Sequence, residues 1–336
     1  MSMKIYLLPS DNLLSFVTQL SKTGSVFYPA LNGSAAHMVR FNKEGTFEPV
    51  FQKIRSAENI KHFLFPSRDI VAKFPNDVRP KTEKQFIFGV KNCDLRGVEV
   101  YDRVFLKSEP IDPAYKQSRE STVLISADCP DPEDCCFCNL VGLHPYCTGA
   151  SDINMTPVTR GYICEAFTKT GEQLLEKHAD LFTDCSKEDQ KEREKIHGAA
   201  DRKLNEINKK VFKDTLSDKV ANADRKAQHD ARKNCVECHA CLHACPTCYC
   251  FLLSDYTKGK EYERVRTWDA CYYAAYARVG GGANPRSELD QRFWNRFQCK
   301  FDFFKQYEGL YACSGCGRCY RGCSAKIDIR EILWQL

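Results

Sequence analysis

No apolar run in this chain approaches the roughly 20 residues a membrane-spanning helix needs, so no membrane span is expected. Met1 to Leu20 lacks the basic start, apolar block and small-residue cleavage site of a secretory signal. A formal charge of +5 over 336 residues is mild, which argues against nucleic acid or an anionic membrane surface as the main partner. Neither a G-x-G-x-x-G turn nor a P-loop occurs, so nucleotide and flavin binding are expected on another chain. What the chain has in excess is cysteine. Twenty cysteines without a secretory signal point to a reducing, cytoplasmic compartment, where thiols ligate metal instead of pairing.

Eight of them fall in two runs, Cys235-Val-Glu-Cys238-His-Ala-Cys241-Leu-His-Ala-Cys245-Pro246 and Cys313-Ser-Gly-Cys316-Gly-Arg-Cys319-Tyr-Arg-Gly-Cys323. Each reads C-x2-C-x2-C-x3-C, the spacing in which three thiolates wrap one [4Fe-4S] cube and the fourth reaches the neighbouring cube. The ligand sets expected are therefore crossed: Cys235, Cys238, Cys241 with Cys323, and Cys313, Cys316, Cys319 with Cys245. Structural zinc favours two C-x2-C pairs with a longer gap, or mixed Cys/His sets, and fits this packing poorly.

The first third of the chain alternates strand-like and helix-like segments. Lys4 to Leu8 reads as a strand, and Ser10 opens a helix with Leu13, Phe16, Val17 and Leu20 on one face. Two buried-type strands follow, Phe86 to Val90 and Thr122 to Ile125, with a helix over Asp94 to Phe105 between them. Ligands of open α/β sheets gather beyond the carboxyl ends of the strands, and Cys93 and Cys129 sit at two such ends. If the strands are parallel neighbours, these cysteines converge. With Cys136 and Cys138 they make a third four-cysteine site, for which Cys135 is an alternative to Cys136. The loop Cys129 to Cys138 is polar and turn-forming, so it offers little core in which to bury thiols. Cys164, in the alternating Gly161 to Phe167, reads as core.

From Ser186 to Asn234 the chain is dense in charge and sparse in apolar positions, as expected of an exposed helical connector. Residues 246–312 separate the two cysteine runs, and helices are expected over Glu261 to Ala277 and Ser287 to Tyr307, broken at Gly280 to Pro285. The fold class expected is α+β. It comprises a mixed α/β domain over 1–185 with an additional Cys-ligated cluster, the connector over 186–234, and an all-helical dicluster ferredoxin domain over 235–336. Cys248, Cys250, Cys271 and Cys299 are expected to pack or to contact cluster sulfur; a further metal site using Cys248, Cys250 and Cys271 is the alternative.

Several segments occur together in a characteristic order: Gly89-Val-Lys-Asn-Cys93-Asp94, Cys129…Cys136-Phe-Cys138, Cys245-Pro-Thr-Cys248-Tyr-Cys250, Arg266-Thr-Trp268-Asp-Ala-Cys271 and Gly315-Cys316-Gly-Arg-Cys319. In this the chain resembles the family that contains the β subunits of sulfhydrogenase-type [NiFe] hydrogenases and the A subunit of anaerobic sulfite reductase. It also resembles the related subunit of flavin oxidoreductases that work beside heterodisulfide reductase. The resemblance spans about Phe63 to Ile332 and supports Cys93, Cys129, Cys136 and Cys138 as one ligand set. It implies an iron–sulfur electron-transfer subunit between a flavin- and NAD(P)H-binding subunit and a terminal redox subunit, with no catalytic residue on this chain. Ser324 departs from the pattern, standing where a proline is expected after the last cysteine. Two other readings remain: a catalytic subunit binding a sulfur or thiol substrate at an N-terminal cluster, and a cysteine-rich scaffold holding zinc.

Overall fold

In the computed structural model, residues 5–52, 55–75 and 83–336 are described. An eight-stranded sheet organises the N-terminal half, built from β1 (Ile5–Pro9), β2 (Ser25–Asn32), β3 (Ala35–Arg40), β5 (Gln85–Val90), β6 (Thr122–Ala127), β7 (Ile153–Val158), β8 (Gly161–Ala166) and β9 (Thr183–Asp184). Its order is β3-β2-β5-β6-β7-β8-β1-β9. The central strands β2, β5, β6 and β7 are parallel, and the flanking pairs are antiparallel.

Side chains of a strand alternate between faces, and both faces of β5 and β6 are buried. Phe86, Phe88, Val123 and Ile125 pack with the helix Leu13–Ser21 through Leu13, Phe16, Val17 and Leu20. Ile87, Val90 and Leu124 face the other way, onto Leu95, Val98, Tyr101 and Phe105 of the helix Asn92–Phe105. Because β5 and β6 are neighbours and parallel, the chain leaves both at one edge of the sheet, at Cys93 and Cys129.

The charged stretch 186–234 is helical but does more than connect. Ser186 and Asp189 form a capping box that starts the helix Lys187–Ile207. That helix buries Ala200 and Leu204, and its His197 Nε2 donates to the Asp128 carboxylate at 2.7 Å while stacking on Tyr146. Leu216 and Val220, farther on, sit in the C-terminal core beside Trp294 and Phe297. Its apolar positions are few; Ala200, Leu204, Leu216 and Val220 are buried, whereas Val211 is exposed.

The C-terminal region is not all-helical, and the helix expected over Glu261 to Ala277 does not form. Phe251–Lys258 (β10) and Glu261–Trp268 (β11) make an antiparallel hairpin, and β11 pairs on its other edge with β4 (Arg68–Phe74). The reason is local and then long-range. Gly259 takes φ +63 at the first position of a two-residue turn, a conformation glycine adopts without cost. The flanking residues are rich in β-branched and aromatic types, and the third strand that stabilises them lies far back in the chain. The helix expected over Ser287 to Tyr307 is present as Leu289–Phe297, a π-helical stretch Gln298–Phe303 and Phe304–Glu308. Gly281 and Gly282, both at positive φ, break the chain before it, as expected.

Candidate iron–sulfur centres

The two cysteine runs adopt the same backbone. In the first, Glu237 and His239 have φ +54 and +57; in the second, the equivalent Gly315 and Gly317 have φ +62 and +71. Each pair turns the chain between the first and third cysteines of its run, and each run then enters a short helix, Ala240–His243 or Arg318–Arg321. Cys323 is among the charges nearest Cys235, whose thiol burial pushes up. Burial likewise raises the thiols of Cys313 and Cys319, each of which has Cys245 among its nearest anionic neighbours. The fourth cysteine of each run thus lies against the other run. Cys238 is exposed and Cys316 is buried, so the first run faces solvent and the second faces the N-terminal half.

The second run is seated against the loop that carries the other predicted ligands. Cys93, Cys129, Cys136 and Cys138 line one cavity, which Cys316 also lines together with Arg55 and Lys91. The space is tight, about 20 Å³, so a cube there requires the loop 129–138 to stand off. Cys135 does not line it and faces an outer groove with Glu133 and Arg321. The Arg55 guanidinium donates to both sulfurs of the pair, 3.5 Å to Cys136 and 3.7 Å to Cys135. A hydrogen bond from Cys136 holds the Cys135 thiol below its usual range, and donating it raises Cys136.

Two buried cations at this cavity carried no sequence signal, because a single Arg or Lys has no period. Lys91 Nζ donates to the carbonyls of Phe51 (2.5 Å) and Asp128 (2.7 Å), and Arg55 is fixed in its charged form against the surrounding cysteines. A buried cation is costly unless anionic groups face it. Four thiolates around an iron–sulfur core supply that negative charge, so this donor set fits such a cluster.

One helix face ties these features together. On Asn92–Phe105, Cys93 lines the cavity, and Asp94 holds Arg318 of the second run through two hydrogen bonds of 2.8 and 3.0 Å. A Cβ on Gly97 would lie 2.4 Å from the Pro246 carbonyl oxygen, and Tyr101 donates to the Cys248 carbonyl at 3.2 Å. Positions 93/94, 97 and 101 recur at helical spacing, so a single face meets the loop after β6, the second run and the segment after the first run.

The remaining cysteines divide in two. Cys147 and Cys164 are buried among apolar side chains, Cys164 in the core of the sheet as expected. Cys185 is half-buried against Ser186, its sulfur 3.8 Å from that carbonyl. Cys248, Cys250, Cys271 and Cys299, by contrast, surround a second cavity, of about 210 Å³.

Residues 234–327 match the 4Fe-4S dicluster domain family, a span that includes both cysteine runs and the hairpin between them. Over 337 residues the chain is 27% identical to sulfhydrogenase 2 subunit beta of Pyrococcus furiosus, and the match covers 98% of each chain. No helix among the described residues is long and apolar enough to cross a membrane. The chain carries a 4Fe-4S dicluster domain over residues 234–327 and is similar, along nearly its whole length, to a sulfhydrogenase β subunit.

Proposed function

We propose that this chain is the iron–sulfur electron-transfer subunit of a cytoplasmic anaerobic oxidoreductase complex. It relays single electrons between a flavin- and NAD(P)H-binding subunit and a terminal redox subunit of the hydrogenase, sulfite reductase or heterodisulfide reductase type. Cys235, Cys238, Cys241 and Cys323 hold one [4Fe-4S] cluster; Cys313, Cys316, Cys319 and Cys245 hold a second; Cys93, Cys129, Cys136 and Cys138 hold a third. When bound, each cube exchanges one electron at a time, dividing the two-electron equivalent of a reduced flavin into single steps.

The observation that carries this reading is adjacency. Cys316 of the second run also lines the N-terminal cavity, and Cys245 lies between the two runs. The three cysteine sets are thus consecutive along one path, from the exposed Cys238 to the buried Cys93, Cys129, Cys136 and Cys138.

The test uses the native complex purified without oxygen. Iron and acid-labile sulfide of at least about twelve each per copy of this chain support the three sites. NAD(P)H should reduce the cubes and bring up the electron paramagnetic signals of their reduced state, and removing the flavin-bearing subunit should abolish that reduction. Zinc without sulfide sinks the reading. Reduction that persists without a second subunit sinks the relay.

A further inference from the structure

Cys248 and Cys250 follow the first run, Cys271 lies just past the end of β11, and Cys299 sits on the last long helix. None is needed as a ferredoxin ligand, yet all four line the same cavity of about 210 Å³. Three segments distant in sequence bring them there, so the clustering is a product of tertiary structure and not of a local motif.

Three further observations single out this cavity. Cys299 and Lys300 lie in the π-helical stretch Gln298–Phe303; such a widened turn is uncommon, and where it occurs it is frequent at functional sites. Lys300 is buried, with Nζ donating to the carbonyl and hydroxyl of Thr247 at 2.7 and 2.8 Å. The anionic groups that face it most strongly are Cys248, Cys245, Cys299 and Tyr249, with no carboxylate among them. Finally, three of the sulfurs have a directed hydrogen-bond donor: Tyr276 for Cys250, Asn295 for Cys271 and the Tyr249 hydroxyl, at 3.8 Å, for Cys299. Four thiols, a buried cation without a carboxylate and donors aimed at sulfur are the surroundings an anionic iron–sulfur core demands.

A single metal ion fits less well. Thiolates about 2.3 Å from one ion must crowd together. No three His, Cys, Asp or Glu side chains among the described residues are arranged to hold one ion, and that includes both ferredoxin runs. Thiols spread around a cavity suit a cube, whose ligands bind separate irons.

We propose that Cys248, Cys250, Cys271 and Cys299 bind a further [4Fe-4S] cluster. The inference rests on the iron–sulfur reading of the chain given above. The new site adjoins the second ferredoxin set, because the Cys248 and Cys245 side chains are hydrogen-bonded to each other. The path through the second set therefore branches towards the N-terminal cavity and towards this one.

The test measures iron and sulfide in the full chain, isolated without oxygen in its native complex and counted per copy of this chain. Both Cys271→Ala and Cys299→Ala are expected to lose about four irons and equal sulfide per copy of this chain relative to the parent complex, with the magnetic signature of the ferredoxin pair unchanged. If those variants do not fold, Tyr276→Phe keeps all four thiols and removes one donor. It should move one cluster midpoint to lower potential and leave the others in place. Unchanged iron and sulfide in the alanine variants overturn the proposal, as does loss of one zinc, or no midpoint shift in Tyr276→Phe. A parent protein with no sulfide fails at the earlier reading. One that contains sulfide but whose iron is unaffected by Cys271→Ala fails here alone.

Discussion

A methyl group added at Gly317 would meet the Cys135 carbonyl oxygen at 2.4 Å and its sulfur at 2.6 Å, and one at Gly315 would meet the backbone at Phe137 and Cys138 at 2.5 Å. In the first run the same left-handed positions are taken by Glu237 and His239, at a cost of roughly 1 kcal/mol each. The second run needs glycine at both because another loop is packed on it. Gly317→Ala is expected to destabilise the cluster-loaded protein by about 3 kcal/mol and to release the second cube's iron. Gly142→Ala, also at positive φ but with open space around it, is expected to cost only about 1 kcal/mol. Denaturant unfolding without oxygen, read together with iron content, checks both. Ser324, the residue that departs from the family pattern, has a visible role. After the Ala240 amide, its own amide and hydroxyl are the donors that lower the Cys238 thiol. Hydrogen bonds to ligand sulfur stabilise the reduced, more negative cluster. Ser324→Ala should therefore lower the midpoint of the first cube by tens of millivolts, and a redox titration that finds no shift would remove serine from this role.

At the scale of elements, the hairpin β10–β11 is the part the sequence pattern concealed. Its aromatic and charged residues also satisfy a helical spacing, and only the Gly259-Lys260 turn marks it as a hairpin. Its hold on the N-terminal half is concentrated in Arg266, which is buried, stacks 4.5 Å from the Phe65 ring centroid, and pairs with Asp112 and Asp69. Asp112 also caps the helix Pro113–Glu120 through the amides of Ala114 and Tyr115. Arg266→Ala removes both ion pairs and the stacking, and is expected to cost about 3 kcal/mol. Thermal unfolding of the loaded protein measures it; a cost under about 1 kcal/mol would mean the hairpin is held by its strand pairing alone. By contrast, the strands β5 and β6 and the helix Asn92–Phe105 were legible, because a continuous apolar run and a helical stripe each have one physical solution.

Over the whole molecule, the dicluster segment is not a freestanding ferredoxin. Its hairpin completes a sheet with β4, Gly315 accepts from the Phe137 amide at 2.8 Å, and Arg318 is clamped by Asp94. Residues 234–336 produced alone are therefore expected to lose iron on desalting, whereas the full chain retains it. Equal retention by the fragment would show that these contacts do not support the clusters. The sequence by itself determined the chemical class: ligand type and spacing are local properties, and eight cysteines in two short runs fall within the stretch that matches a 4Fe-4S dicluster domain. It also determined the strand ends at which Cys93 and Cys129 lie. Tertiary structure decided the rest. It chose Cys136 over Cys135 as the cavity-lining residue, brought Cys316 to the N-terminal site, placed Arg55, Lys91 and Lys300 as buried counter-charges, and gathered Cys248, Cys250, Cys271 and Cys299 around one space. Those are relations between segments far apart in the chain, set by packing, and no local period records them.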